Sequence, residues 1–547
     1  MFTYLHCYMP QTWDAQVRTG FIDEHSGIRF PQSIDIPEHT KFNNLAAIGG
    51  ELHSLVRQER MPFYIDRLQG GCYIENYPYD MHLIRAYRDM LGENFWGFQM
   101  HEWMSNFYND LNKLRNNHCP HTNGSGWAEE DIIATIRKAF PFPHLFLEAM
   151  TAREFAETGD PQTYEEFLMH AARLFDRRQQ YTDNMLLPCD SAYLAYNLEL
   201  KHGAKRIMPE IGAQTPNTRI QIAYARGMAK AYGVPFGAYY EPWGGDPFSA
   251  CNYHKTGDNE WNIHSGADFP FETKGGNGGS SRSLQRRMHL YAYMAGAQFM
   301  SEEWSMSNVF YDWEDFDLTP YGLVKRDFLR FTRKYQDIGT LCAPIAIVLP
   351  KDLPLLETFS PAEHLCGFPI SGSLAEKVRN VRNIVLSLLA ETTAMKGTET
   401  CSLRNSNIPD AIDIVHEDKF NANTYRYLVD ATGNPAFAAE YGCKICPAED
   451  VPMLLDTILP CKVTGGLHSM VSQAADGTFY LMILNHSGVS RTVAEGERLL
   501  REEDKTVSVT CRDDRRITPL EGDGVLSYDN GVARITVPAG GWFFGRF

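Results

Sequence analysis

Positive charge is in short supply. The chain has 51 Lys and Arg against 68 Asp and Glu, a formal net charge of −17. Arg286-Arg287 and Arg515-Arg516 are isolated pairs, and no basic stripe is available to neutralise phosphates, so no nucleic-acid partner is expected. Long apolar runs are also missing. None approaches transmembrane length, so no membrane partner is expected. The opening MFTYLHCYMPQTWDAQ has no basic segment followed by an apolar one, and a cytoplasmic location is the expectation. Cysteine is sparse, with 12 residues scattered over 547, which reads as free thiols in a reducing compartment. Cys443 and Cys446 form a lone C-x-x-C without a second pair at zinc-finger spacing.

Several chemistry-bearing motifs are absent too. No G-x-G-x-x-G follows the first strand-like segment, and GGNGGSSRS from Gly275 follows no strand, so it reads as a flexible loop or lid. No G-x-S-x-G elbow is found, which argues against a serine hydrolase. His101-Glu102 opens like H-E-x-x-H, but residue 105 is Ser. His254 and His264 lack ligand spacing. No metal ligand set and no cofactor are therefore expected.

What is present is alternation. Over residues 1–340, strand-like segments (FTYLHCYM, MPFYIDRLQGG, NFWGFQMHEW, NMLLPCDS, AKRIMPEIG, VPFGAYYEPWGG, AQFMSEEW) alternate with helix-like ones, several of them stopped by glycine. This pattern predicts a parallel sheet, and seven or eight such units suit a (β/α)8 TIM barrel. A doubly wound sheet is the structural alternative. Residues 112–183 look helical and read as an insertion. In this count the fourth strand ends at Asp190 and Glu210 lies on the fifth. Residues 341–460 read as a small α/β domain. Residues 461–547 read as an antiparallel β domain, with Asp529-Asn530-Gly531 as a hairpin turn.

The predicted barrel strands repeatedly end in acids, where barrel enzymes carry their chemistry. Asp66 ends FYID, with Arg67 next to it as a possible ion-pair partner. His101-Glu102-Trp103 ends the QMHEW strand. Glu210 ends RIMPE, with Gly212 allowing close approach. Tyr240-Glu241 and Trp243 follow in AYYEPW, and Glu302-Glu303-Trp304 ends FMSEEW. Asp190 is better read as a helix cap. Acids interleaved with indoles suit glycoside hydrolysis, in which one carboxyl donates a proton and a second acts as nucleophile or base. Glu210 is the candidate proton donor, and Glu302 or Glu303 the candidate nucleophile. Asp66, Arg67, His101, Glu102, Trp103, Tyr240, Glu241, Trp243 and Trp304 are the candidate sugar contacts. Strand alternation allows only one of Glu302 and Glu303 to face inward, and parity with Met208-Glu210 and Met100-Glu102 favours Glu302.

The domain order, with GAQFMSEEWSMSNVFYDWEDFDLTPYGLVKRDFLRF and PDAIDIVHEDKFNANTYRYLVDATG, resembles family 42 β-galactosidases and related glycoside hydrolases. The resemblance implies a barrel, a flavodoxin-like middle domain and a C-terminal β domain. It also implies a nucleophile glutamate on the late strand ahead of the Pro-Tyr-Gly turn, and a homo-oligomer, trimer or dimer. One departure stands out: no Asn-Glu pair, the usual acid/base position of that clan, ends the fourth strand. The expectation is an exo-acting, retaining glycosidase for a small, β-galactoside-like carbohydrate. A non-catalytic carbohydrate-binding barrel and a metal-dependent barrel hydrolase are the alternatives.

Overall fold

The computed structural model describes residues 1–31, 41–66, 79–139, 147–212, 218–242, 281–303, 308–311, 314–358, 360–361, 363–392, 403–492 and 496–547. Eight strands form a closed barrel: β1 (Thr3–Cys7), β2 (Gly27–Pro31), β3 (Phe63–Asp66), β4 (Phe95–His101), β5 (Leu186–Asp190), β6 (Met208–Gly212), β7 (Gly237–Glu241) and β8 (Phe299–Glu302). Every neighbouring pair is parallel, and β8 closes onto β1 through Thr3–Leu5 against Phe299–Ser301. Helices alternate with the strands, and the described residues between β4 and β5 include the helices Trp103–Asn116, Glu129–Ala139, Ala152–Thr158 and Tyr164–Tyr181.

One strand was not foreseen. β2, GIRFP, is five residues with an arginine in the middle and Gly and Pro at its ends, so its alternation spans only Ile28-Arg29-Phe30, too short to mark a strand. Counting it moves every later strand up by one. Asp190 ends the fifth strand, Glu210 lies on the sixth, and the fourth strand ends at His101.

Alternation along the strands sorts side chains into the barrel interior or toward the helices. Leu5, Tyr64, Leu187, Cys189, Met208, Tyr239 and Phe299 form an apolar cluster of their own inside the barrel. At the N-terminal end, Trp96 meets Phe299 at 4.8 Å between ring centroids and plugs the interior. Tyr4, Ile28, Met100, Ala238, Tyr240 and Met300 belong instead to the large core between barrel and helices. The interior is thus packed below and becomes polar only toward the C-terminal ends of the strands.

Ile345–Leu349 is the central strand of a parallel sheet, flanked by Ile412–His416 and Tyr427–Asp430. The barrel helix Thr218–Tyr232 lies against this sheet. A Cβ on Gly227 would sit 2.1 Å from the Ile414 carbonyl oxygen, so only glycine permits this approach. Beside it, Arg226 binds Asp413 at 2.6 Å and Lys230 binds Asp413 at 2.7 Å. The C-terminal region forms antiparallel sheets of four and five strands with their own apolar cluster, including Val507, Ile535 and Phe543. Asn530 and Gly531 both have positive φ between Val525–Asp529 and Val532–Val537, as the Asp-Asn-Gly turn requires. Among the described residues no helix is long and apolar enough to cross a membrane.

Candidate active site

The polar end of the interior is organised around one imidazole. His101 Nε2 lies 3.7 Å from Glu102 Oε2, 3.8 Å from Glu210 Oε1 and 3.9 Å from Glu303 Oε1. The three carboxylates come from the residue after β4, the middle of β6 and the residue after β8. Sharing one neighbour, no two of them are farther apart than two such contacts laid end to end. They differ in access: the side chains of Glu210 and Glu303 are 3% and 6% exposed, and that of Glu102 is 28% exposed. Two buried acids therefore sit behind one that reaches solvent.

Local backbone geometry explains these placements. Glu102 leaves β4 with φ 42°, which turns its side chain back toward the barrel mouth. Its N–H donates to the Cys189 carbonyl at 2.7 Å, and Ser191 Oγ donates to its carboxylate. Gln221 Nε2 donates to the Glu210 carbonyl at 2.7 Å and to the Ser191 carbonyl at 2.6 Å, locking the ends of β5 and β6 together. The Glu303 N–H donates to the Tyr240 carbonyl at 2.9 Å, extending the β7–β8 ladder by one residue. Glu241, also buried and directed inward, sits opposite Gly212. A Cβ there would lie 2.4 Å from the Glu241 carbonyl oxygen, so the glycine makes room for this fourth carboxylate.

Arg29 and Asp66 form the wall on the β2–β3 side. Arg29 Nη2 meets Asp66 Oδ2 at 2.8 Å, both nearly fully buried. Arg29 Nη1 donates to the Glu302 carbonyl, and its guanidinium stands 5.2 Å from the centre of the Tyr239 ring. Burial alone would weaken the guanidinium's hold on its proton, but the Asp66 carboxylate, together with Tyr239, Tyr64 and Cys7, more than offsets this. Tyr239 also meets His101 edge-on at 5.5 Å. Below, Tyr64 and Ser301 share a 2.8 Å hydrogen bond. Cys189 lies between His101 and Glu210; burial, and then the Glu210 carboxylate, push its thiol well above the ordinary range.

Three expected site residues lie elsewhere. Glu302 faces the helices, not the barrel interior: it is fully buried with Tyr4 Oη at 3.1 Å, Lys325 Nζ at 3.5 Å and Asn308 Nδ2 as partners. Parity with methionine does not identify the inward glutamate, because methionine marks no side. Met208 faces inward and Met100 and Met300 outward, so Glu303 is the inward glutamate. The same one-residue slip affects Tyr240, which meets His289 edge-on at 4.9 Å outside the barrel, while Tyr239 takes the interior position. Trp103 starts the helix after β4 and is a core residue; its Nε1 donates to Glu199 Oε1 at 2.7 Å and its ring packs 5.3 Å from Phe175. His101, Glu102, Glu210 and Glu303 do converge; Asp66 pairs with Arg29, and Glu241 on β7 stands opposite Gly212. Arg67, Trp243 and Trp304 lie outside the described residues, as do His254, His264 and the glycine-rich stretch from Gly275 to Ser280.

Asp190 points away from the interior and accepts from the Ala195 N–H at 2.7 Å, just ahead of the helix Tyr196–Lys201. Burial pushes it up to about 7, and burial together with its charge pushes Glu199 well above the carboxylate range. Sequence reasoning missed Arg29, Ser191, Cys189, Gln221 and Tyr239. Only Arg29 left a trace, as a lone cation inside a short apolar segment.

No protein-family model and no curated protein matches the sequence. Among solved structures, the chain is similar to the catalytic module of a family 98 glycoside hydrolase from Streptococcus pneumoniae TIGR4, in complex with the LewisY pentasaccharide. Identity is 9%, coverage 100% of this chain and 98% of that one, and the TM-score 0.43. It is also similar to α-L-fucosidase isoenzyme 2 from Paenibacillus thiaminolyticus (9% identity, 95% and 87% covered, TM-score 0.39). A third is an apo family 42 exo-carrageenase from Bacteroides ovatus (10% identity, 100% and 79% covered, TM-score 0.39). The first and third belong to different families, so family 42 is not singled out. At such identities and scores the chemistry rests on the site's own geometry.

Proposed function

We propose that the protein is a glycoside hydrolase acting through Glu210 and Glu303. The observation that carries this reading is the single imidazole with carboxylates from three strands within 4 Å of it. Glycosidases need two carboxyls flanking one bond, roughly 5–5.5 Å apart for retention and 6.5–9.5 Å for inversion. Glu210, set among Met208, Cys189 and His101, is the proton donor to the leaving oxygen. Glu303 attacks the anomeric carbon, and a water then releases the sugar with Glu210 as base, which retains the configuration. Glu102, held by Ser191 and more open to solvent, and His101 take sugar hydroxyls. Asp66 is already matched by Arg29 and serves as a fixed wall.

The corrected strand count bears on the clan's usual acid/base position, since the fourth strand ends at His101-Glu102 and His stands where Asn would be. Glu102 is thus the rival donor. We favour Glu210 because it is more buried and comes from a strand interior, where its position is fixed by Gln221. The substrate class is a small glycoside, cleaved from its end, with a β-galactoside as first candidate.

Turnover of a panel of nitrophenyl glycosides tests the reading. Wild type should hydrolyse at least one member with the first-formed anomer retained, as followed by proton NMR. Glu210→Gln and Glu303→Gln should lose about 10²–10⁴-fold in kcat while keeping the wild-type melting temperature within a few degrees. Sugar-induced thermal stabilisation with no hydrolysis of any member would instead support a binding protein and overturn the proposal.

A further inference from the structure

Two residues of the proposed hydrolytic site, His101 and Glu210, also belong to a second set, completed by Cys189, which glycoside hydrolysis does not require. His101, Cys189 and Glu210 each offer a ligand atom, and these atoms all lie within 4.8 Å of one another. Their convergence is set by the sheet. His101 and Cys189 are direct partners in the β4–β5 ladder. Cys189 pairs with Met208 in the β5–β6 ladder, and Glu210 is the next inward residue after Met208. All three therefore stand on adjacent strands, about 4.8 Å apart along the hydrogen-bonding direction. They are supplied by strands and not by loops, so their relative positions are held by backbone pairing. The edge of Tyr239 rests on the imidazole, and Gln221 holds the Glu210 backbone.

We propose that His101, Cys189 and Glu210 bind one zinc-class divalent cation. The donor set decides the class: thiolate with imidazole favours borderline-soft ions such as Zn²⁺ over Mg²⁺ or Ca²⁺, which prefer all-oxygen shells. Three protein ligands with an open fourth position match the pattern of accessible zinc sites. Tetrahedral coordination at bond lengths of about 2.0–2.3 Å needs the ligand atoms roughly 3.3–3.8 Å apart, which side-chain rotation from the present spacing can supply. Glu303 Oε1 and Glu102 Oε2, each within 4 Å of His101 Nε2, are available for the fourth position. On binding, the sulfur–metal bond forms and the Cys189 thiol proton passes to solvent. A cation held by Glu210 removes that carboxyl from proton donation, so zinc occupancy and hydrolysis are mutually exclusive. This last consequence rests on the glycosidase reading, but the binding does not.

The test uses the full chain, stripped with chelator and titrated with ZnCl₂, CoCl₂ and MgCl₂. Wild type should bind one Zn²⁺ and release a proton. With Co²⁺ it should show a near-ultraviolet sulfur-to-metal charge-transfer band, and it should not respond to Mg²⁺. Cys189→Ser should abolish the band and weaken zinc binding at least about tenfold, the lower range for disturbing even an outer partner of a ligand. His101→Gln should weaken binding independently. Cys443→Ser, in the exposed C-x-x-C, should leave both unchanged. A band that survives in Cys189→Ser, one lost in Cys443→Ser, or no binding by wild type would overturn the proposal. Absence of hydrolysis in stripped wild type would count against the glycosidase reading alone, because the spectroscopic result is read without turnover.

Discussion

At the residue scale, adjacent residues of the barrel strands face opposite ways. Tyr239 and Glu303 face the interior, whereas Tyr240 and Glu302 face the helices. The types of residue needed for the chemistry were legible in the sequence; the side each one takes was not, because register depends on where a strand begins. β8 begins at Phe299, whose ring fills the barrel floor beside Trp96. Glu302 and Lys325 should therefore matter for stability. Both are buried against each other and against Tyr4, where burial holds the ammonium below its usual range and the Glu302 carboxylate works against this. Lys325→Met leaves Glu302 an uncompensated buried charge and should cost about 3–5 kcal/mol of unfolding free energy in denaturant titration. Breaking the Arg29–Asp66 pair with Arg29→Ala should cost a similar amount. It should also reduce turnover, because Arg29 holds the Glu302 carbonyl one residue before Glu303.

At the scale of elements, the strands that alternate at length or end in acids were recognisable, and the one that does neither was not. GIRFP pairs on both sides within the barrel, yet its central arginine serves the interior and hides the strand pattern. The meeting of Cys189 with His101 and Glu210 was invisible for a related reason: they are neighbours across ladders, and local spacing carries no record of pairing between strands. Packing between elements was equally silent. Gly227 looks like an ordinary helix glycine in TRIQIAYARGMAKAYG, but a Cβ there would overlap the Ile414 carbonyl. Gly227→Ala should destabilise by about 1–3 kcal/mol or more despite alanine's better helix propensity. A midpoint unchanged or raised in urea would show that the helix and the sheet are not held at this distance.

At the scale of the molecule, buried acids contribute to the response to pH. Burial pushes Asp110, Asp190 and Glu357 each up to about 7. A carboxyl whose pKa is raised on folding binds its proton more tightly in the native state. Its contribution is complete below the unfolded value near 4 and is lost as pH rises through about 7. Each such group lowers stability by up to about 1.4 kcal/mol per pH unit across that window. Asp410 acts in the opposite sense. Its carboxyl is buried, but the His468 hydrogen bond and the Arg226 and Arg219 guanidiniums hold it below the ordinary range, so its stabilisation is lost only in stronger acid. Buried His289 and His416, held down by burial to about 3 and 4, gain stability as pH rises over the same window, so it is the acids' share of the melting temperature that falls between about pH 4 and 7. Asp190→Asn should flatten that fall; an unchanged slope would mean that Asp190 is already ionised near neutral pH.

The central claim, that Glu303 is the nucleophile of a carboxylate centre built around His101, is open to one direct measurement. An activated 2-deoxy-2-fluoroglycoside of the sugar that wild type hydrolyses traps the covalent intermediate on the attacking carboxylate. Fragment-ion mass spectrometry of the labelled peptide then separates Glu302 from Glu303. The account predicts stoichiometric labelling on Glu303 with simultaneous loss of turnover. A label on Glu302 or Glu241, or turnover that proceeds with no residue labelled, would contradict it.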